Sequence, residues 1–335
     1  MLYYIYTTKG TCDSDMKSFT AGKNDAGQRT DKFLEKAVPL LPKNLMYRYI
    51  RIKRIKINGR RCEISQRINE GDLIELYIND EFFAPSADKP AFMLAPAKVD
   101  IVYEDGNILL ADKKCGLVVH DDESGTHDTL INRIQHYLYD NGEYDPDSEL
   151  SFAPALCNRL DRNTSGLVIC AKNAESLRIL NDKIKKREIS KHYLCVTCGV
   201  PTPPAARSQA YLEKNESTKT VRITDKKTPY AKTIVTQYKV LKTHGGLALC
   251  EIDLITGRTH QIRAHMAYLG YPVLGDGKYG SNEINRRYKV KTQALHAYRL
   301  RFDFTGDGGI LSYLDGREFQ TSPPWFVSLI DEKHL

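Results

Sequence analysis

The chain has 335 residues, of which 41% are hydrophobic and 27% are charged. This composition excludes wholesale disorder, and the length suggests about two domains that need no disulfides to build their cores. No run of about 18 apolar residues occurs, which excludes a membrane-spanning helix. The 49 Lys and Arg against 42 Asp and Glu give a formal net charge of +7, so the position of the charge is more informative than its amount.

The N-terminal residues 1–20 begin with an aromatic stretch and have neither the basic nor the apolar region of a secretory signal. The eight cysteines are scattered, and Cys195 and Cys198 form a single C-x-x-C within a predicted strand. Side chains three residues apart on a strand point to opposite faces, so we expect two core cysteines here and neither a zinc site nor a disulfide. These features predict a cytoplasmic protein.

A small basic domain is expected over residues 20–82. A helical pattern starts at Asp31 and ends near Pro39, and a second helix is predicted over 43–54. The dipeptide Asn58-Gly59 between two short apolar runs is a strong hairpin signal. An alternating strand then follows at 73–78.

Most of the net charge lies in this domain, since residues 43–67 carry nine basic side chains against the single acid Glu63. The basic residues alternate with tyrosines and isoleucines, which indicates a folded surface and not a tail. A solvated helix face is the plain alternative. A concentrated basic patch on a folded element is also typical of contact with a phosphate backbone. The candidate RNA-binding residues are Arg48, Arg51, Lys53, Arg54, Lys56, Arg60 and Arg61.

Residues 83–97 are rich in Ala and Pro and are expected to form a linker, and a second domain is expected over 98–335. Strands outnumber helices there, and no regular β-α-β rhythm is visible. The fold class is therefore α+β, with a mixed, mainly antiparallel sheet. The predicted elements, in order, are two strands around Asp105-Gly106, a helix over 127–139, a buried strand over 166–171, a helix capped by Asn173, β-rich stretches over 190–200, 207–213 and 231–256, a helix over 260–269 and a strand over 293–304.

The helix capped by Asn173 ends in a second basic cluster, which is a candidate second contact with a polyanion. Its members are Lys183, Lys185, Lys186, Arg187 and Lys191.

Two segments of the second domain carry candidate chemistry. Residues 158–166 place turn-forming residues just before a buried strand, and in an extended chain Arg159 and Asp161 face the same way. Residues 256–265 begin a helix that Thr259 is expected to cap, and on it His260 and Arg263 share a face. The alternatives are a surface ion pair for the first segment and a hydrogen-bonded structural role for His260. No catalytic triad order, phosphate-binding loop or dinucleotide motif occurs.

Three ordered motifs, RLDRNTSGLVICAKN, KREISKHYLCVTCG and TGRTHQIRAHMAYLGYPVLGDGKYG, resemble the RluA-type pseudouridine synthase family over about 98–305. The earlier KINGR and GDLIEL segments resemble an alpha-L RNA-binding domain. The resemblance implies the pseudouridine synthase fold. It also implies an isomerase that converts uridine to pseudouridine in structured RNA, with large-subunit ribosomal RNA the expected substrate.

The resemblance also implies roles for particular residues. Asp161 would be the catalytic aspartate, Arg263 would pair with it, and Tyr193 would stack on the target uracil after the base leaves its helix. The implied substrate-binding residues are Arg159, Leu295, Arg258 and His260. Asn158 departs from the family, which more often has His at this position, and altered RNA contacts are expected there.

The reaction involves no net redox change or hydrolysis, so the resemblance implies no cofactor and no metal. RNA is the expected partner, no membrane is expected, and the protein is expected to be a monomer. Whether the aspartate attacks the sugar or removes a proton from its 2′ carbon stays open. The rival functions are a non-catalytic RNA-binding or ribosome-assembly factor, a synthase acting on transfer RNA, and a nuclease, although paired carboxylates for two-metal chemistry are missing near segment 158–166.

Overall fold

A computed structural model describes residues 16–83, 90–121, 125–215 and 217–331. The aromatic stretch at the N-terminus and part of the predicted linker lie outside these ranges. No helix within them is both long and apolar enough to cross a bilayer.

The N-terminal part forms a four-stranded antiparallel sheet with two helices, α1 (Thr30–Ala37) and α2 (Lys43–Arg51). In spatial order the first strand lies beside the fourth, followed by the second and third. The predicted hairpin is confirmed, because Asn58 and Gly59 both have positive φ, as a two-residue turn of this type requires. The strands are β1 (Lys17–Thr20), β2 (Ile55–Ile57), β3 (Arg60–Arg61) and β4 (Leu73–Leu76).

This sheet and its two helices enclose a core of their own, which we call the module core. Phe33 and Leu34 of α1, Met46 and Ile50 of α2, and Ile74 of β4 are all fully or almost fully buried in it. Helix α2 ends three residues before its predicted end, since Lys53 adopts positive φ and reverses the chain. The separate core explains how this segment can fold although its surface is strongly basic.

The remaining chain forms an eleven-stranded sheet, and its pairings are antiparallel except between the strands at 165–171 and 295–302. The mixed, mainly antiparallel α+β fold is therefore confirmed. The strands are β5 (Ile101–Glu104), β6 (Ile108–Lys113), β7 (Ala155–Leu156), β8 (Ser165–Ala171), β9 (Ile189–Cys198), β10 (Ala205–Asn215), β11 (Thr220–Thr224), β12 (Lys232–His244), β13 (Leu247–Asp253), β14 (Leu295–Phe302) and β15 (Glu318–Gln320).

Helices cover both faces of this sheet. The helices are α3 (Leu130–Asp140), α4 (Ala174–Lys186), α5 (Gln261–Tyr268) and α6 (Asn282–Arg287). Alternate residues of β8 pack on opposite sides: Val168 joins the core under α3 and α5, whereas Leu167 joins the core under α4. Side chains of β9 also point alternately to the two faces of the sheet, and Cys195 and Cys198 are buried in different cores. Their predicted role as free core cysteines is therefore confirmed.

Five elements were not predicted, namely the strands β1, β7, β11 and β15 and the helix α6. Between Pro90 and Lys98, where a linker was expected, residues 91–94 form a short 3-10 helix. Phe92 of this turn packs against His136, Tyr139 and Tyr144 at the end of α3. This part of the expected linker is therefore fixed to the second sheet and its helices, which we call the body.

Candidate active site

A cavity of about 270 Å³ opens on the body between the loop before β8, strand β9 and the start of α5. A wider cleft adjoins it and shares part of its wall, including Arg159, Asp161, His260 and Arg263. The first cavity is lined by all seven residues that the resemblance assigned to catalysis or substrate binding. They are Arg159, Asp161, Tyr193, Arg258, His260, Arg263 and Leu295.

The loop that carries Asp161 is held in place by hydrogen bonds on both sides. Lys113, at the end of β6, is fully buried, and its Nζ donates to the carbonyls of Lys114, Leu117 and Arg162 at 2.7–3.0 Å. Burial lowers the pKa of this ammonium to about 8. On the other side, Gln293 donates to Thr164 Oγ1 at 2.6 Å. The loop can therefore present Asp161 in one fixed position.

Asn158, where altered RNA contacts were expected, uses its side chain within the protein. Its Oδ1 accepts from the Ile169 amide at 2.8 Å, and its Nδ2 donates to the Leu167 carbonyl at 3.3 Å. The side chain thus ties the loop to β8 at the cavity wall, a contact that the sequence did not predict.

Arg263 joins two carboxylates. Its Nη1 donates to Asp161 Oδ2 at 2.7 Å, while Nε and Nη2 donate to the two oxygens of Asp276 at 2.6 and 3.0 Å. Burial favours the neutral guanidine, but the bonds and charges of the two acids outweigh it and raise the pKa of Arg263. Burial likewise opposes ionisation of Asp276, yet Arg263 lowers the pKa of that carboxyl. The arginine is therefore a fixed cation that Asp276 orients toward Asp161.

Asp276 lies within the third motif but was not predicted as a site residue. It is fully buried, and its Oδ1 also accepts from the amides of Lys278 and Tyr279 at 2.8 and 3.1 Å. It does not line the cavity. The available signal was an acid between Gly275 and Gly277 in an otherwise apolar run, which is equally typical of an ordinary turn.

The start of α5 differs from the expected cap. His260, not Thr259, is the N-cap residue, and no side chain caps the helix there, so that prediction is wrong. His260 has positive φ, and Gln261 supplies the local contacts instead: its Oε1 accepts from the Arg258 amide at 3.1 Å, and its Nε2 donates to Thr236 Oγ1 at 3.1 Å. Gln261 thereby fixes the turn that brings His260 and Arg263 into the cavity.

Tyr193 and His260 complete the wall near Asp161. Tyr193 is 5% exposed, and burial, with the nearby charge of Asp161, raises the pKa of its phenol. His260 Nδ1 lies 2.8 Å from the Tyr279 hydroxyl, and its Nε2 lies 3.9 Å from Asp161 Oδ2. Burial lowers the pKa of His260 despite the opposing effect of Asp161. The imidazole is thus both a structural hydrogen-bonding group and a neutral group beside the carboxylate.

The predicted RNA-binding residues lie away from this cavity, on α2, the following turn and strands β2 and β3. Lys56 is half-buried and the other six are exposed. Arg54 lies over the ring of Tyr49, and Lys56 Nζ lies 4.8 Å from the ring centre of Tyr77. The aromatic residues thus support the charged surface, as the alternating pattern indicated.

The second basic cluster is only partly a surface. Lys183 is buried, and its Nζ donates to Glu188 Oε2 at 2.7 Å, so its inclusion in a contact surface is wrong. Lys186 is exposed and paired with Asp182, whereas Lys191 lines the cavity.

In the ranges that the structure covers, no three His, Cys, Asp or Glu side chains gather as a metal site would require.

The family model described as RNA pseudouridylate synthase matches residues 107–268. An uncharacterized RNA pseudouridine synthase of Mycoplasma genitalium is 32% identical over 320 residues, covering 93% of this chain and 98% of that protein. Ribosomal large subunit pseudouridine synthase C of Rickettsia bellii is 34% identical over 267 residues, covering 76% of this chain and 84% of that protein.

Among solved structures, the human RNA pseudouridylate synthase domain containing 1 has a similar fold, with a TM-score of 0.54. It is 22% identical and covers 73% of this chain and 89% of its own. The likeness supports the fold of the body.

Proposed function

We propose a catalytic residue and a substrate for this chain, which belongs to the RNA pseudouridylate synthase family and is an enzyme that isomerises uridine in RNA. The catalytic carboxylate is Asp161, and the substrate is large-subunit ribosomal RNA. One observation carries the proposal for the site. Asp161 lies in the cavity and one of its oxygens accepts from Nη1 of Arg263, whose other two nitrogens donate to the buried Asp276.

The reaction breaks the bond between N1 of uracil and C1′ of ribose, turns the base, and joins its carbon 5 to C1′. The proton on carbon 5 leaves, and N1 gains one, so atoms and electrons balance without a redox partner. Asp161 acts at the ribose, either by attack on C1′ or by removal of the 2′ proton. In both routes Arg263 keeps the carboxylate aimed at the sugar.

The detached uracil must stay in the cavity while water is kept out. The ring of Tyr193 and the side chain of Leu295 form an apolar wall for this purpose, both being at least 95% buried. The target base must be flipped into this space, which costs a few kcal/mol. Arg159 and Arg258, which are exposed at the cavity, are suited to hold the adjacent backbone, and His260 is suited to bind the uridine.

The N-terminal sheet and its two helices, which we call the module, act as the alpha-L RNA-binding domain in this proposal. Its exposed arginines contact phosphates, so they supply affinity and position but little sequence selection. The name of the Rickettsia relative supports ribosomal RNA as the substrate. The proposal further includes action as a monomer in the cytoplasm with no metal or cofactor.

The module can be tested in the full chain by the triple variant Arg51→Gln, Arg60→Gln and Arg61→Gln. If these side chains bind phosphates, the slope of log affinity against log salt falls by about 0.7–0.9 for each phosphate that is no longer neutralised. The control is Arg286→Gln on α6, which removes an exposed arginine elsewhere. An unchanged slope in the triple variant would remove the module from the RNA interface.

The catalytic assignment is tested by Asp161→Asn with RNA labelled with tritium at carbon 5 of uridine, because bond formation at that carbon releases the label. We expect release to fall by at least about 10³-fold, as for loss of a residue that acts in the chemical step, with RNA affinity unchanged. Asp307→Asn, at an exposed site, is the control. Release at the wild-type rate would refute the role of Asp161. Release from transfer RNA but not from ribosomal RNA would refute the proposal that ribosomal RNA is the substrate.

A further inference from the structure

The module is bound to the body through the loop between β1 and α1. Asn24 Nδ2 donates to Glu149 Oε1 at 2.6 Å, and Asn24 Oδ1 accepts from the Ala174 amide at 3.1 Å. Gln28 donates to Ser151 Oγ at 2.6 Å. These bonds join residues that are more than 120 positions apart in the sequence, so the contact is tertiary.

The same junction also contains buried side chains and close packing contacts. Asp25 is 2% exposed and accepts a hydrogen bond from Ser151, which is itself buried. Leu150 of the body packs on the module core. Arg178 donates to the Ala26 carbonyl at 2.5 Å, and a Cβ at Gly27 would lie only 3.2 Å from its Nη1. These contacts favour one orientation of the module over the many that a free tether would allow.

Helix α4 links this junction to the active site. Its first residue, Ala174, and Arg178 one turn later belong to the junction, whereas Ile184 near its end lines the cavity of Asp161. Thirteen residues at about 1.5 Å each give a helix roughly 20 Å long. Leu180 is fully buried under the helix, and the buried Lys183–Glu188 pair anchors its last turn. The helix is therefore a stiff spacer.

From this arrangement we propose that the docked module and α4 act as a ruler, which selects a uridine at one fixed distance from the phosphates that the module binds. The inference rests on the proposed function. A mobile module would reach uridines at many separations, but a docked one offers its basic surface and the cavity together only to an RNA folded to match. The residues that set specificity then include Asn24, Gln28, Leu150 and Arg178, none of which lines the cavity.

The docking can be measured in the intact protein by a zero-length carbodiimide cross-link. Lys23 Nζ lies 3.9 Å from Glu175 Oε2 across the junction, and the two can condense to an amide with loss of water. We expect the cross-linked peptide in the wild-type protein and its loss in the double variant Leu150→Asp, Arg178→Ala. The matched control is Asn282→Asp, Arg286→Ala, which makes the same charge changes on exposed positions of α6.

The consequence for specificity is measured by tritium release from two RNAs, a folded ribosomal RNA fragment and a short single-stranded oligonucleotide with the same uridine. In the double variant we expect KM for the folded RNA to rise about tenfold. The undocked module is no longer held beside the bound RNA, so its phosphate contacts form at a lower effective concentration. KM and kcat for the oligonucleotide stay at wild-type values, which also shows that the variant is folded.

Absence of the cross-link in the wild-type protein would overturn the docking. Loss of the cross-link with an unchanged KM for folded RNA would overturn the proposal that docking selects the uridine by distance. An equal rise in KM for both RNAs would overturn it as well. A wild-type protein that cross-links at Lys23 and Glu175 but releases tritium from neither RNA would refute the proposed function itself, and the ruler with it. Each failure is thus distinguishable from the others.

Discussion

The support of Arg263 by Asp276 leads to a quantitative prediction for Asp276→Asn. The amide keeps the size of the side chain, but it replaces one of the two oxygens that accept from the guanidinium at 2.6 and 3.0 Å. Removing one member of a buried pair typically costs about 3–5 kcal/mol because the other charge is left uncompensated. Arg263 keeps its bond to Asp161, so we expect the free energy of unfolding to fall by an amount near the lower end of this range, about 3 kcal/mol.

Activity should fall for a separate reason. Asp276 does not line the cavity, so substrate binding and KM should change little. Without it, the arginine is free to turn about its terminal bonds, and a displacement of about 1 Å at the carboxylate costs on the order of 10²-fold in rate. The variant should therefore lose kcat, with single-turnover tritium release as the assay.

The matched control is Asp303→Asn, which breaks the exposed pair between Arg301 and Asp303 at 2.8 Å. An exposed pair contributes only about 0–1 kcal/mol, so the free energy of unfolding measured by urea denaturation should barely change. If Asp276→Asn kept both the stability and the kcat of the wild type, the argument that Asp276 positions Arg263 would be refuted. A rise in KM alone would also contradict it, since that would place Asp276 in substrate binding.

The roles proposed for the site residues came from the resemblance, and local patterns only drew attention to some of them. Asp161 lies between arginines before a buried strand, and His260 and Arg263 share a helix face, so each could be singled out within its own segment. Asp276 could not, because its contact with Arg263 depends on a reversal of the chain after α5 that no short-range pattern specifies. Lys113 was missed for a similar reason, since the carbonyls that it binds come from two separate loops.

Most of the fold followed from periodicity and turn residues, and the errors have local causes. In β11 only Val221 and Ile223 are apolar, and the surrounding polar residues concealed the strand. Thr259 has a good capping side chain, but Gln261 bonds the Arg258 amide and the chain turns at His260 instead. Capping propensity was overridden there by the contacts that build the cavity.

Two further predictions concern buried positions beside the site. Gly166 has a φ of +111°, and a Cβ there would lie 2.2 Å from the Ala297 carbonyl oxygen. Gly166→Ala should therefore lower the free energy of unfolding by about 3 kcal/mol in urea, whereas Gly106→Ala, with open space around it, should not; equal effects would contradict the close approach. His265 is fully buried between Thr236 Oγ1 and Ser208 Oγ, and burial lowers its pKa to about 4. The unfolded chain takes up this proton near pH 6.5 but the folded protein does not, so stability is present above pH 6.5 and is lost as the pH falls toward 4. His265→Gln cannot take up the proton, and its free energy of unfolding should fall less steeply over this range, by up to about 1.4 kcal/mol per pH unit. Parallel pH profiles for the wild type and His265→Gln would show that the folded protein accepts the proton at His265 as readily as the unfolded chain does, and would refute the buried neutral imidazole.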